Sequence, residues 1–258
     1  MKKTLIALAV AASAVVSGSA MAWQANGPGG NLELGGTLNP QEKLTPWEVQ
    51  IGTAVNDLDG LIQKGVTKAE VDVKTAIPVL GIRTVKPEAF PGQEGIAPEI
   101  DYNGAVDLDG FSEGTTTLTL TVQNEQSQDI GTLKVPMRAG ALLSYKSGDY
   151  VDARSLFASA KGKAFWGGLP KSASGVMTYP ISGTTPFFAD ASANYTNQGA
   201  TELVEPGETR LAVPYATYSG FYASGINQGE KIQIKLDTPA AADAIAWKAS
   251  LPVTVSYQ

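Results

Sequence analysis

Apolar and polar positions alternate with a period of two along most of the chain. Residues 115–122 set Thr116, Leu118, Leu120 and Val122 against Thr115, Thr117, Thr119 and Thr121, as a half-buried strand requires. Residues 69–73 place Val71 and Val73 on one face, and residues 231–236 oppose Ile232, Ile234 and Leu236 to Lys231, Gln233 and Lys235. Leu133, Val135 and Met137 repeat the pattern, with Pro136 predicting an edge or a bulge. At the C-terminus Leu251, Val253, Val255 and Tyr257 share a face. Helical spacing is confined to about two turns, at 56–63 and 152–161. Turn signals such as Asp59-Gly60, Asn103-Gly104, Asp109-Gly110, Pro206-Gly207 and Gln228-Gly229 separate the strands. The pattern predicts an all-β, antiparallel sandwich with short helical elaborations. The irregular stretch 160–199 is read as an elaboration of that sandwich and not as a second domain.

One more alternating segment stands apart. Leu32, Leu34, Gly36 and Leu38 face one way, and Asn31, Glu33, Gly35 and Thr37 the other. Asn26-Gly27-Pro28-Gly29-Gly30 precedes it and Asn39-Pro40 follows, so the strand is expected to be tethered by irregular chain on both sides. Its inward-facing glycine leaves one shallow position among leucines. Ahead of it lie Lys2 and Lys3, an apolar run from Thr4 to Val16, and the cleavage pattern Ala20-Met21-Ala22, together a secretory signal. The run is too short to span a bilayer. The expected organisation is residues 1–22 signal peptide, 23–40 tail and 41–258 one domain.

Removing 22 of the 258 residues leaves 236, enough for one large β domain. Its formal charge moves from −6 to −8 as Lys2 and Lys3 leave, which disfavours nucleic acid as a partner. The chain has neither Cys nor His. Disulfides are therefore absent, the usual ligands of zinc, copper and haem are missing, and a Ser-His-Asp triad is excluded. No cofactor is expected.

The tail, the segment Trp47-Glu48-Val49-Gln50-Ile51-Gly52, Phe165-Trp166-Gly167-Gly168-Leu169, and the end from Gly225-Ile226-Asn227-Gln228-Gly229 to Tyr257 together resemble the FaeG-like fimbrial subunits of the chaperone–usher pathway. The resemblance covers essentially the whole chain and is most specific at the C-terminus. It implies an immunoglobulin-like sandwich that lacks its last strand. A periplasmic chaperone lends that strand, an outer-membrane usher exports the subunit, and a neighbouring fimbrial subunit then supplies its own tail. Leu32, Leu34, Gly36 and Leu38 would be the donor strand, and Leu251, Val253, Val255 and Tyr257 the strand bordering the open groove. The implied product is a non-enzymatic fimbrial subunit on the cell surface, with host glycans as a further partner.

Other chemistry carries less weight. Asp57-Leu58-Asp59-Gly60 and Asp107-Leu108-Asp109-Gly110 read as acidic turns, since neither supplies the remaining ligands of a calcium loop. Asn194-Tyr195-Thr196 matches a glycosylation sequon by chance. Tyr215, Tyr218 and Tyr222 are candidate glycan contacts, because tyrosine suits a half-exposed position. Two alternatives remain at this point: a monomeric exported carbohydrate-binding module or lectin-like adhesin, and a hydrolase built on two carboxylates.

Overall fold

In the computed structural model the described residues form thirteen strands. They are β1 (Trp47–Ile51), β2 (Lys68–Asp72), β3 (Ile77–Thr84), β4 (Phe90–Pro91), β5 (Pro98–Asp101), β6 (Thr115–Gln123), β7 (Asp129–Ser147), β8 (Tyr150–Leu156), β9 (Leu203–Gly207), β10 (Thr217–Ile226), β11 (Lys231–Leu236), β12 (Lys248–Ala249) and β13 (Thr254–Tyr257). The structure describes residues 25, 26, 32, 34–39 and 44–258. The expected signal peptide, residues 1–22, lies outside them, as do Asn31 and Glu33 of the tail strand. The chain divides into two units, Met1–Lys43 and Leu44–Gln258.

The second unit is an antiparallel β sandwich, apart from one parallel pair, β8 with β9. Among the described residues, the larger sheet runs β1-β3-β10-β7-β11-β2, with β6 and β8 also on β7, and the smaller holds β13 and β5. The 19-residue β7 joins the halves of the larger sheet. Its first half lies between β6 and β11, and its second half between β10 and β8. Pro136 therefore sits in the middle of a central strand, not at the edge the sequence suggested. Its missing N–H falls where one side of β7 has left β11, after Lys134, and has not yet met β10, at Arg138.

The smaller sheet packs on β10. The Tyr102 hydroxyl, just past β5, hydrogen-bonds the Tyr222 hydroxyl and Ser224 Oγ, each at 2.9 Å, and Tyr222 donates to Gly168 O at 3.2 Å. Phe165 stacks on Tyr222 with centroids 5.6 Å apart and meets Trp47 edge-on at 5.5 Å. This aromatic seam is the centre of the core. On the other face of the large sheet, Leu142, Phe221 and Ala223 form a second cluster with Phe187, Phe188 and Ala191. Those last three belong to the 160–199 stretch, which packs against this face of the sheet. It carries a 3-10 turn (Ala173–Gly175) and one short helix, α1 (Pro180–Thr184).

Two expected helices are not formed. Residues 56–63 are irregular, with an isolated bridge from Leu61 to Glu70. Residues 152–156 are part of β8, pairing Ala153 with Ser144 and Ser155 with Leu142. The turn at Asn103-Gly104 has positive φ at both residues, 52° and 75°, the backbone such a tight reversal requires.

Candidate functional site

Among the described residues, β13 has a strand neighbour on one side. Gln258 and Ala97 exchange both backbone hydrogen bonds, at 3.0 and 3.2 Å. In an antiparallel ladder such pairs alternate with pairs that exchange none. Val255, opposite Ile100, therefore turns its N–H and C=O away from β5. Ile100 obeys the same parity on its own outer side, where its N–H donates to Trp166 O at 2.7 Å. Phe165 N–H adds a bond to Pro98 O at 2.6 Å, so the Phe165-Trp166 segment closes the outer edge of β5. Among the described residues no strand closes the outer edge of β13.

Side chains along this edge follow the same alternation. Leu251, Val253, Val255 and Tyr257 are half-buried against the core, whereas Pro252, Thr254, Ser256 and Gln258 are exposed. The sequence thus placed the four on one face, and the structure adds that this face is incompletely covered.

A second uncovered margin lies on β1. Trp47, Val49 and Ile51 share its inner face, opposite Thr84, Ile82 and Leu80 of β3. Trp47 is buried, and its indole N–H donates to Ile96 O at 2.8 Å. Val49 and Ile51 stay 40% and 52% exposed although they face inward. Ile96 adjoins Ala97, so the start of β1 and the end of β13 meet at one end of the sandwich. Leu58 and Ile62, half-buried on the same core, are further apolar surface from the irregular segment after β1. Exposed apolar side chains along a sheet edge are a template for another strand.

The tail carries apolar side chains of its own. Leu32, Leu34 and Leu38 are 83%, 87% and 97% exposed, and Gly36 has open space around it. Residues 34–39 have no regular secondary structure.

The candidate glycan aromatics separate. Tyr218 and Tyr222 are 1% and 0% exposed, which removes them as surface contacts. The cause is that both point to one face of β10, where Phe90 and Tyr145 pack on Tyr218 and Phe165 on Tyr222. Tyr215, in the loop before β10, is 78% exposed. Burial pushes the Tyr102 phenol up to about 12, against the bonds from Ser224 and Tyr222, and drives Tyr222 well above its usual value. Both are neutral core groups.

The acidic turn at Asp107 is an Asx turn, its Oδ1 accepting from the N–H groups of Asp109 and Gly110 at 3.1 and 3.0 Å. Asn194 of the sequon donates to Thr84 O at 2.8 Å, so its amide holds the elaboration to β3.

Among the described residues the chain thus combines a β sandwich whose β13 has one strand neighbour with a segment bearing exposed leucines. Residues 1–258, the whole chain, match the family of fimbrial major and minor subunits, and the protein belongs to that family. It is 32% identical to K88 fimbrial protein AD and 30% identical to K88 fimbrial protein AC, both of Escherichia coli, over the full length of each chain. The F41 fimbrial protein of Escherichia coli is 25% identical over the same extent. The protein is therefore a non-enzymatic structural subunit of a cell-surface fimbrium and associates with other fimbrial subunits. This removes the hydrolase alternative.

Proposed function

We propose that this subunit polymerises by donor-strand exchange. Leu32, Leu34, Gly36 and Leu38 of one copy lie along Leu251, Val253, Val255 and Tyr257 of the next. The observation that carries the reading is the outer edge of β13, where the backbone of Val255 points outward beside half-buried apolar side chains. Burying three leucines contributes roughly 1.5–3 kcal/mol each. Each backbone bond closed adds about 0.5–1.5 kcal/mol net. Ordering the glycine-bearing tail offsets part of that gain.

Before assembly the same edge needs protection. A periplasmic chaperone that lends a strand, and an outer-membrane usher that exchanges it, meet this need after a signal peptide at 1–22 has directed export. The organisation is then tail 23–40 and domain 41–258. In the finished fibre, exposed side chains such as Tyr215 are available for host glycans.

The test is to size the mature protein with and without residues 23–40, each made with and without a fimbrial chaperone. Ladders from the full chain, and a truncated protein soluble only in complex with the chaperone, are the expected result. A truncated protein that is a stable monomer without a chaperone would overturn the reading and favour a monomeric carbohydrate-binding module.

A further inference from the structure

Leu61 is 94% exposed, and Val66 and Ile245 are exposed in the same part of the sandwich. Gly65 N–H donates to Ala240 O at 2.8 Å, and Ala240 N–H to Val66 O at 2.9 Å. These bonds lay the chain leading into Ile245 against the chain following Leu61. From Thr238 to Trp247 the only charged side chain is Asp243, and Ala241, Ala242, Ala244 and Ala246 are exposed around Ile245. The surface there is apolar and low, with little bulk to keep another chain away. Exposed apolar side chains gathered in this way mark an interaction surface.

Chain direction identifies the segment that reaches it. β1 starts where β13 ends, since Trp47 donates to Ile96 O next to the Ala97–Gln258 pair. From there partner numbers fall one for one as the chain advances. Trp47 faces Thr84, Ile51 faces Leu80, and Leu61 forms an isolated bridge with Glu70 of β2. β1 and Leu61 thus follow one edge in a single register, and Leu61 stands at the end of that edge remote from Gln258. A donated strand laid antiparallel to β13, with Leu32 at Tyr257 and Leu38 at Leu251, runs the same way as β1. It leaves the groove past Leu251, on the side of Leu61 and Ile245.

Leu44 is the next large apolar side chain to follow. It is 90% exposed and has no regular secondary structure. It lies six residues after Leu38, and Ile245 lies six residues before Leu251. On chains running in opposite directions these equal separations bring Leu44 abreast of Ile245, within the roughly 20 Å that six residues can span. Leu44 also lies three residues ahead of Trp47, where the donor's own sandwich begins. Anchoring it fixes the donor's sandwich against the end of the receiver's.

We propose that Leu44 of the donating copy docks on Ile245 and Leu61 of the receiving copy, a second contact between copies that orients consecutive subunits. The proposal rests on donor-strand exchange and extends that interface beyond the groove.

The chain has no cysteine, so engineered pairs report proximity directly. Fibres of the full mature chain carry Leu44→Cys with Ile245→Cys, or Leu44→Cys with Leu61→Cys. They are oxidised, boiled in detergent and run on non-reducing gels. Ladders that dithiothreitol collapses are expected from at least one pair, since a disulfide needs Cα atoms within about 7 Å. Leu44→Cys with Tyr179→Cys, exposed beside α1, should give none. In fibres without cysteine, Leu44→Ser should raise the dissociated fraction at a fixed temperature roughly threefold to tenfold, as for half-burial of a leucine. Leu61→Ser should add little to that variant, because the two side chains share one contact. The contact is overturned if neither pair bridges copies, if bridges form only within one chain, if the Tyr179 pair bridges as well, or if Leu44→Ser fibres dissociate like the wild type. Leu34→Ser fibres report the donated strand separately. Weakened Leu34→Ser fibres with no bridge in either pair overturn this contact alone, whereas Leu34→Ser fibres as stable as the wild type overturn donor-strand exchange and this contact with it.

Discussion

Replacing Leu34 by Ser separates a donated strand from an intrinsic one. Leu34 is 87% exposed in the subunit, so its loss should change subunit stability by less than about 0.5 kcal/mol, as for other surface changes. Buried in a neighbour's groove, the same side chain contributes roughly 1.5–3 kcal/mol. At about 1.4 kcal/mol per decade this is a loss of about 10- to 150-fold in the equilibrium for strand insertion. Leu32→Ser and Leu38→Ser start from similar exposure, so the three should act comparably on assembly and weaken it further in combination. The assay pairs urea unfolding of the monomeric subunit with the thermal dissociation of fibre ladders. Unchanged monomer midpoints with fibres that dissociate at lower temperature are expected. If the segment were the first strand of its own sandwich, Leu34→Ser would act as a core truncation. The monomer would then lose about 2–5 kcal/mol while the interface between copies was untouched. That outcome would refute donor-strand exchange.

Two further predictions concern the core that shapes the open edge. Burial raises the Tyr102 phenol from 10.0 to about 12, so unfolded chains release this proton before folded ones do. Its contribution, about 2.7 kcal/mol at most, is intact below pH 10 and lost as pH rises from 10 to 12. Urea midpoints should therefore fall steeply above pH 10, and Tyr102→Phe should be less stable at pH 8 yet flatter in that window. A Tyr102→Phe profile as steep as the wild type's would remove Tyr102 as the cause. Gly167 has φ +84°, and a Cβ there would stand 1.9 Å from Ile100 O on β5. Gly167→Ala should cost at least about 2 kcal/mol from left-handed backbone and overlap together, and should also impair fibre formation, because among the described residues β5 is the only strand holding β13. Wild-type stability in that variant would show that the segment yields.

The strands legible in the sequence were those whose burial depends only on their own alternation. β2, β6 and β11 each present one face to the core, so period two alone marks them. β8 was missed because its pattern is inverted locally. Asp152 is buried, held by an ion pair with Arg154 two residues on, and the two polar side chains erase the apolar face that would have announced a strand. Pro136 was misread for a different reason. Its tolerance depends on where β11 ends and β10 begins, partners about ninety to a hundred residues further along the chain and beyond any local window.

The two surfaces differ in the same way. At the open edge, alternation identified the half-buried face of residues 251–257, because side-chain direction is a local property. It could not indicate that, among the described residues, β13 pairs with β5 alone, since strand neighbours are a property of the whole fold. The cluster of Arg83 with Glu48 and Asp190 was invisible. Glu48, Arg83 and Asp190 lie 35 and 107 residues apart along the chain and meet only because β1 pairs with β3 and Phe188 packs over Gly81. Val49 and Ile51 sharpen the contrast. Their alternation with Glu48 and Gln50 reads as an ordinary edge strand with its apolar face inward. In the fold that face is buried at Trp47 and increasingly uncovered toward Ile51. An apolar face left bare at one end of a well-ordered strand costs solvation with no gain to the isolated subunit. Its retention is intelligible if the missing cover arrives from another chain.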